Sequence, residues 1–229
     1  MRSIRTKTLA VAAVASLTMF TAACGSSDDT SSDTATSAAE ETTEAPEPTE
    51  EEPAAGGAVD ENLAGPGCGD YAKAVPDGSG SVAGMAEDPV AVAASNNPLL
   101  KTLTAAVSGK VNKKVDLVDT LNGDEFTVFA PVDDAFAAID KKTLASLADP
   151  KNADLLTQIL TYHVVPGQIT PDKISGTQTT VQGEKLKVSG PADKLKTGGG
   201  QANVICGGVK TANATVYLID AVMMPPSMS

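Results

Sequence analysis

Residues 25–66 constrain the fold of this chain more than any other feature, because they cannot form part of a packed core. The segment carries twelve acidic residues and no basic residue, and it consists mainly of Ser, Thr, Ala, Asp, Glu and Pro. Such a composition buries too little apolar surface to offset the entropy lost on ordering. We therefore expect residues 24–66 to form a disordered acidic linker, acting either as a spacer or as a solubilising tail. A folded domain is then confined to residues 67–229.

The first 23 residues have the pattern of an export signal. Residues 1–8 carry basic and no acidic residues, and an apolar stretch follows over residues 9–23. That stretch is shorter than the roughly 20 residues that a membrane-spanning helix needs. It ends in Thr-Ala-Ala, then Cys24 and Gly, which resembles a bacterial lipobox and implies cleavage before Cys24 and attachment of diacylglycerol to its sulfur. The alternative is an ordinary secretory signal beside an incidental cysteine.

The charge and composition of residues 67–229 narrow the classes of partner. This part carries 17 acidic residues against 14 lysines, and the only arginines of the chain lie in its first five residues. The chain has no Trp, and aromatic residues make up 3% of it. Proteins usually bind phosphates through arginine guanidinium groups, and bases and sugars by stacking them on aromatic rings. The sequence therefore predicts no nucleic-acid partner.

Proline positions and apolar periodicity predict several helices in the first two thirds of the domain. A capping residue followed by proline is typical of a helix start. Leu100, Leu103 and Val107 have the spacing of a buried helical stripe, and Leu156, Leu160 and His163 have the same spacing later in the chain. Four dipeptides are predicted to begin helices: Asp88-Pro89, Asn97-Pro98, Asp149-Pro150 and Thr170-Pro171.

The last third of the domain is predicted to form short strands. Gly207-Gly208 is predicted to form a hairpin turn between two of them. Helices that precede strands favour the α+β class. The predicted strands cover residues 126–129, 184–189, 201–206, 209–212 and 215–222.

Three motifs in chain order resemble the signatures of the fasciclin (FAS1) domain family, and the resemblance covers nearly all of residues 85–227. They are the Phe-Thr-Val-Phe-Ala-Pro run of residues 126–131 with the helix after it, the Tyr-His pair of residues 162–163, and the strand of residues 216–226. Within the family the chain is similar to single-domain surface lipoprotein antigens of the mycobacterial type. The resemblance implies a wedge of short β-strands with several helices, preceded by the disordered stalk. The motif residues are Phe129, Pro131, Phe136, Tyr162, His163, Asp220 and Pro225.

Two cysteines remain in the exported part once Cys24 is assigned to the lipid. Export places Cys68 and Cys206 where disulfides persist, and we expect them to pair. On the chain-entropy model this bond stabilises the domain by roughly 4–5 kcal/mol. A structural metal site is the alternative, but two cysteines with one histidine are few ligands for zinc. No metal and no cofactor are predicted.

Few residues suggest catalysis. His163 continues an apolar stripe, which favours a packed, hydrogen-bonded core histidine over a catalytic one, and the same holds for Tyr162. In the resembled family this Tyr-His segment is linked to adhesion. Asp133 and Asp134 suggest either a metal site or a favourable interaction with the dipole of the helix after Pro131. The chain is predicted not to be an enzyme.

The resemblance implies a cell-surface protein that mediates adhesion or protein binding and is recognised by the host as an antigen. We expect a monomer, anchored on the outer side of the cell membrane through the acylated cysteine, with an extracellular or host protein as its partner and a shed or secreted form alongside. Thr42, Thr43 and Thr49 are candidates for O-glycosylation. The alternative function is an envelope carrier or chaperone for a lipophilic small molecule, which an apolar pocket of about 300–1,000 Å³ would favour.

Overall fold

The computed structural model describes residues 62–228. The predicted signal peptide, Cys24, the acidic linker up to Glu61 and the three candidate glycosylation threonines lie outside the described residues. Seven α-helices occur in the described part: α1 (Cys68–Ala74), α2 (Val90–Asn96), α3 (Lys101–Val107), α4 (Val118–Gly123), α5 (Asp133–Ala137), α6 (Lys141–Ala148) and α7 (Ala153–Tyr162). Four short 3-10 helices cover Gly84–Glu87, Pro150–Asn152, Ala192–Lys194 and Pro226–Met228.

Seven strands form a five-stranded sheet and a separate hairpin. The strands are β1 (Phe126–Pro131), β2 (Val164–Pro166), β3 (Gly176–Thr179), β4 (Lys185–Val188), β5 (Lys196–Thr197), β6 (Ala202–Lys210) and β7 (Ala214–Ile219). The sheet order is β2-β1-β7-β6-β5, and β3 pairs only with β4. β1 and β7 run parallel, while the other neighbours in the sheet are antiparallel. This arrangement confirms the expected α+β class.

The central strands separate two hydrophobic clusters. Every residue of β1 and β7 is buried. Successive side chains of a strand point to opposite faces. Accordingly Val216 and Leu218 join the cluster beneath the helices, whereas Tyr217 and Ile219 join a second cluster with the β3–β4 hairpin. The apolar residues of the last predicted strand are therefore divided between two cores.

The predicted turn at Gly207-Gly208 is wrong. β6 continues through both glycines, and its register against β7 shifts between Val204 and Val209. Gly208 adopts φ +83°, which allows the strand to bulge without ending. A Cβ on Gly207 would lie 2.2 Å from Cδ1 of Tyr217, so the aromatic ring requires glycine there. The actual turn lies at residues 211–213, between β6 and β7.

The helix starts predicted at pairs of a capping residue and proline are confirmed only in part. Asp149 caps the 3-10 helix at Pro150 by accepting from the backbone N–H of Lys151 at 2.9 Å. Pro89 directly precedes α2, but the helix expected at Pro98 begins only at Lys101. The helix predicted at Thr170-Pro171 is wrong, because the chain makes a single turn there, closed by bonds from Lys173 and Ile174 to the Thr170 carbonyl. A proline can start one turn without enough following helical residues to propagate it.

Candidate functional site

The Tyr-His pair lies where helix α7 meets the sheet. Tyr162 is the last residue of α7 and His163 caps its C-terminus. The stripe of Leu156 and Leu160 packs in the cluster beneath the helices. The helix therefore ends with both aromatic rings turned into the interior, and the exposed fractions are 1% for Tyr162 and 3% for His163.

Both nitrogens of the His163 ring have partners. Nε2 accepts from the backbone N–H of Met223 at 3.0 Å. Because a backbone N–H can only donate, the proton sits on Nδ1, which donates to the Ile159 carbonyl at 2.8 Å. Burial lowers the pKa of His163 to about 4, and the hydrogen bond to Ile159 opposes that shift only in part. The ring is neutral at physiological pH and ties α7 to the segment after β7.

Tyr162 has the same buried character. Its hydroxyl donates to the Lys185 carbonyl at 3.3 Å, and its ring stands edge-on to the His163 ring at a centroid distance of 6.5 Å. Burial, followed by the nearby Glu184, raises the pKa of the Tyr162 hydroxyl. With both side chains enclosed, neither can touch a partner protein directly. The predicted role of His163 as a packed, hydrogen-bonded residue agrees with this geometry.

The structure contains the disulfide between Cys68 and Cys206, which are 138 residues apart, with a Cα–Cα distance of 4.7 Å. It joins the start of α1 to β6. Backbone bonds reinforce the connection: Gly67 donates to the Ile205 carbonyl at 2.9 Å, and Ala64 exchanges bonds with Gly207. The chain therefore contacts the sheet from Ala64 onward, slightly before the predicted domain start at residue 67.

The other motif residues hold the sheet and its neighbours together. The Phe129 and Tyr217 rings lie 5.3 Å apart in the second cluster. Pro131 is the last residue of β1 and not the first of the helix, which starts at Asp133. Phe136 is half-buried and packs against the first cluster.

The C-terminal motif residues also have structural positions. Asp220 accepts from the backbone N–H of Asn203 at 2.8 Å and from its side-chain amide at 2.7 Å. Pro225 is buried after β7.

Asp133 and Asn213 have roles that sequence reasoning missed. The Asp133 carboxylate accepts from the backbone N–H of Thr102 at 2.8 Å, so it caps α3 across space besides lying in the first turn of α5. The Asn213 side chain accepts from Val90 N–H and donates to the carbonyls of Leu121 and Asp124. The sequence Asn213-Ala214-Thr215 fits the N-glycosylation pattern Asn-X-Ser/Thr, but because Oδ1 and Nδ2 of Asn213 both have partners, it is a poor acceptor. Only the tertiary structure brings these partners together.

The described residues include an apolar cavity and an open groove. The first is almost entirely apolar, has a volume of about 50 Å³ and lies between α2, α3, α4 and β1, with His163 in its wall. The second is an open groove of about 300 Å³ between α1, the start of α5, β6 and β7. Its lining includes Asp70, Asp133 and Asp134. The groove was not foreseen, because its residues come from distant parts of the sequence.

Residues 62–228 contain no cluster of potential metal ligands and no helix suited to span a membrane. No group of three or more His, Cys, Asp or Glu side chains in this range is placed to hold a metal ion. In the same range, no helix has both the length and the apolar character needed to cross a bilayer.

The comparisons with known proteins agree on one family. The fasciclin domain model matches residues 99–225. The chain is 55% identical over 175 residues to the immunogenic protein MPB70 of Mycobacterium bovis, covering 76% of this chain and 86% of that protein. It is 56% identical over 166 residues to the cell surface glycolipoprotein MPB83 of the same species, covering 72% of this chain and 74% of that protein.

A solved structure supports the fold. The FAS1 domain pair of the insect cell adhesion molecule fasciclin I superposes with a TM-score of 0.50 at 17% sequence identity. The match covers 63% of this chain and 53% of that one, so this chain spans about half the length of the domain pair. At this identity the likeness concerns the arrangement of strands and helices.

Proposed function

The chain belongs to the fasciclin domain family, and from that premise we propose that it is a lipid-anchored surface protein whose domain binds another protein at the bacterial envelope. The observation that carries the proposal is its similarity to a mycobacterial cell surface glycolipoprotein over most of both chains. The fold is similar to that of FAS1 domains from a cell adhesion molecule, which is consistent with a binding role. The similarity to an immunogenic protein supports recognition by the host as an antigen.

Cys24 is the proposed anchor. A diacylglyceryl thioether carries two acyl chains, palmitate among them, and two chains hold a protein stably where one gives marginal binding. We propose the acidic segment behind it as a spacer between membrane and domain, because its like charges repel one another. Mass spectrometry of the mature N-terminus tests this. We expect a peptide that begins at Cys24 and carries diacylglycerol, and an unmodified peptide at this position would refute anchoring.

Glycosylation of the linker is part of the same proposal. Thr42, Thr43 and Thr49 lie among Pro, Ala and Glu in the linker. The name of the glycolipoprotein relative supports a glycan on this chain. Intact mass measurement of the native protein should show hexose increments that disappear when the three threonines are replaced by Ala. A native mass equal to the sum of peptide and lipid would contradict the proposal.

We propose a binding role without catalysis. The single histidine of the chain is buried and neutral, and backbone groups occupy both its nitrogens. A nucleophile or general base needs an accessible reactive atom and a substrate-sized pocket beside it. The apolar cavity next to His163 holds about 50 Å³, well below the roughly 300–1,000 Å³ of ordinary ligand sites. Its size also argues against carriage of a lipophilic molecule in this cavity.

The binding role is tested by crosslinking. The mature chain, bearing a photoreactive crosslinker, is incubated with intact host cells or with the cell envelope and recovered under denaturing conditions. We expect a reproducible crosslinked protein that excess unlabelled mature chain competes away. Recovery of lipid without a protein adduct would overturn protein binding and favour the carrier function. Sedimentation of the free chain should give the mass of a monomer.

A further inference from the structure

The open groove at the start of the domain has an apolar floor. Leu218 and Val132 form its buried part, and Leu99 and Ile205 are half-buried at its sides. Its volume of about 300 Å³ is enough for one or two side chains of a partner. A concave, mostly apolar site with a few polar groups is the usual form of a binding pocket.

Carboxylates line the rim of this groove. Asp70 comes from α1, and Asp133 and Asp134 come from the first turn of α5. The lining contains no Lys, Arg or His. The groove therefore has a negative rim over an apolar floor, which favours a cation carried on or beside an aliphatic side chain.

Two of the three carboxylates are available to a partner. Asp133 already accepts from Thr102 N–H and holds α3 in place. Asp134 is exposed. Asp70 lies 3.9 Å from Lys73, but both side chains are more than 80% exposed, and an exposed pair of this kind exchanges easily for another cation.

The wall formed by α1 is fixed in advance. The disulfide ties Cys68 to β6, directly beside Ile205 at the side of the groove. The Tyr71 hydroxyl donates to the Gly80 carbonyl at 2.6 Å and accepts from the Asn97 amide at 2.8 Å, and its burial raises its pKa to about 12. A preformed groove loses little entropy when a partner binds.

We propose that this groove is the docking surface for a segment of a partner protein in which Lys or Arg flanks a Leu-like side chain. The inference rests on the proposed protein-binding function and names its surface and the chemistry of its partner. The aliphatic side chain lies on Ile205 and Leu218, and the cation lies between Asp70 and Asp134. The chain's own linker does not suit the groove, because its twelve acidic residues would be repelled.

The experiment follows backbone amide shifts of the mature chain by NMR during titration with two synthetic peptides. The probe is acetyl-Gly-Leu-Lys-Leu-Lys-Gly-amide, and the control carries Ser in place of both Leu at the same charge. The control is needed because the acidic linker attracts any basic peptide. We expect saturable shifts at the amides of α1, α5 and Ile205 with the probe and at least tenfold weaker binding of the control.

Charge reversal at the rim is the second arm. The Asp70→Lys/Asp134→Lys variant should bind the probe at least tenfold more weakly. The matched variant Asp154→Lys/Asp193→Lys changes net charge equally at exposed positions outside the groove, one of them in the first turn of α7, and should bind normally. Unchanged shifts of buried amides in β1 and β7 verify that each variant is folded.

Several results would overturn the inference: no saturable binding, equal binding of both peptides, or full binding by the rim variant. The crosslinking assay separates this failure from failure of the proposed function. If the rim variant still captures the same protein, protein binding stands and the groove is not its surface. If wild-type chains self-associate and the rim variant does not, the occupant is a second copy and the proposed partner is wrong.

Discussion

The Tyr-His pair and the groove beside α1 both contain polar groups, but these groups are enclosed in the first region and exposed to solvent in the second. At Tyr162 and His163 the rings are enclosed and their polar atoms bond to backbone groups. At the groove, Asp70 and Asp134 face solvent above an apolar floor. The motif by which the family is recognised therefore stabilises the fold, while the open groove is suited to recognition. Changes in the two regions should separate stability from binding.

Removing the disulfide, which joins α1 beside the groove to β6, should produce the largest effect. Replacing both Cys68 and Cys206 by Ala releases a loop of 138 residues in the unfolded chain. We expect a loss of about 4–5 kcal/mol in the free energy of unfolding on the chain-entropy model. Because α1 also loses its tether, peptide binding in the groove should weaken. Urea unfolding measures the first effect, and wild-type protein in dithiothreitol serves as the comparison. An unchanged midpoint in both samples would contradict this account.

His163→Ala should be the next most severe change. It leaves the Met223 N–H without its acceptor inside the protein and opens a cavity beneath α7. Together these losses should lower the free energy of unfolding by about 3–4 kcal/mol. His163→Gln keeps a donor and an acceptor and should cost less. Peptide binding by the folded fraction should be unchanged. Full stability together with lost cell binding would reverse the assignment of His163 to the fold.

Acidification should lower the free energy of unfolding through protonation of His163. The pKa of His163 is about 4 in the folded protein and near 6.5 when unfolded, so the unfolded chain binds the proton more readily. The contribution of neutral His163 to the free energy of unfolding is fully present above pH 6.5. It is lost as the pH falls toward 4, by about 3 kcal/mol in total. Urea unfolding at several pH values measures this loss. The His163→Gln variant, which lacks the group, should lose less over the same window. Parallel curves for both proteins would show that carboxylates alone cause the loss.

The sequence predicted best the elements whose pattern is local. The Phe126–Pro131 strand, the helix that ends at Tyr162 and the last strand all combine apolar periodicity with a nearby proline or cap. The disulfide pairing also followed from the few cysteines available. These features depend on residues close in sequence or on simple counting.

The errors arose where tertiary packing decides. Gly207-Gly208 resembles a turn in isolation, but the Tyr217 ring and the bulge keep the strand continuous. The cap that Asp133 provides to α3 joins two separate helices. The groove combines α1, α5, β6 and β7, and no local pattern indicates that these four meet. The groove could therefore not be predicted from motifs in the sequence.

The smallest expected effect on stability is that of Asp134→Asn, and it gives the sharpest test of the contrast. The side chain is exposed, so its neutralisation should change the free energy of unfolding by less than about 0.5 kcal/mol. The same change removes one of two available charges at the rim and should weaken binding of the Leu-Lys peptide several-fold, with a smaller effect at high salt. Urea unfolding and peptide titration on one preparation measure both quantities. Asp193→Asn, also exposed but outside the groove, is the control and should alter neither. If Asp134→Asn destabilises the domain without affecting the peptide, the carboxylate belongs to the fold, and the division between a structural motif and a recognition groove fails.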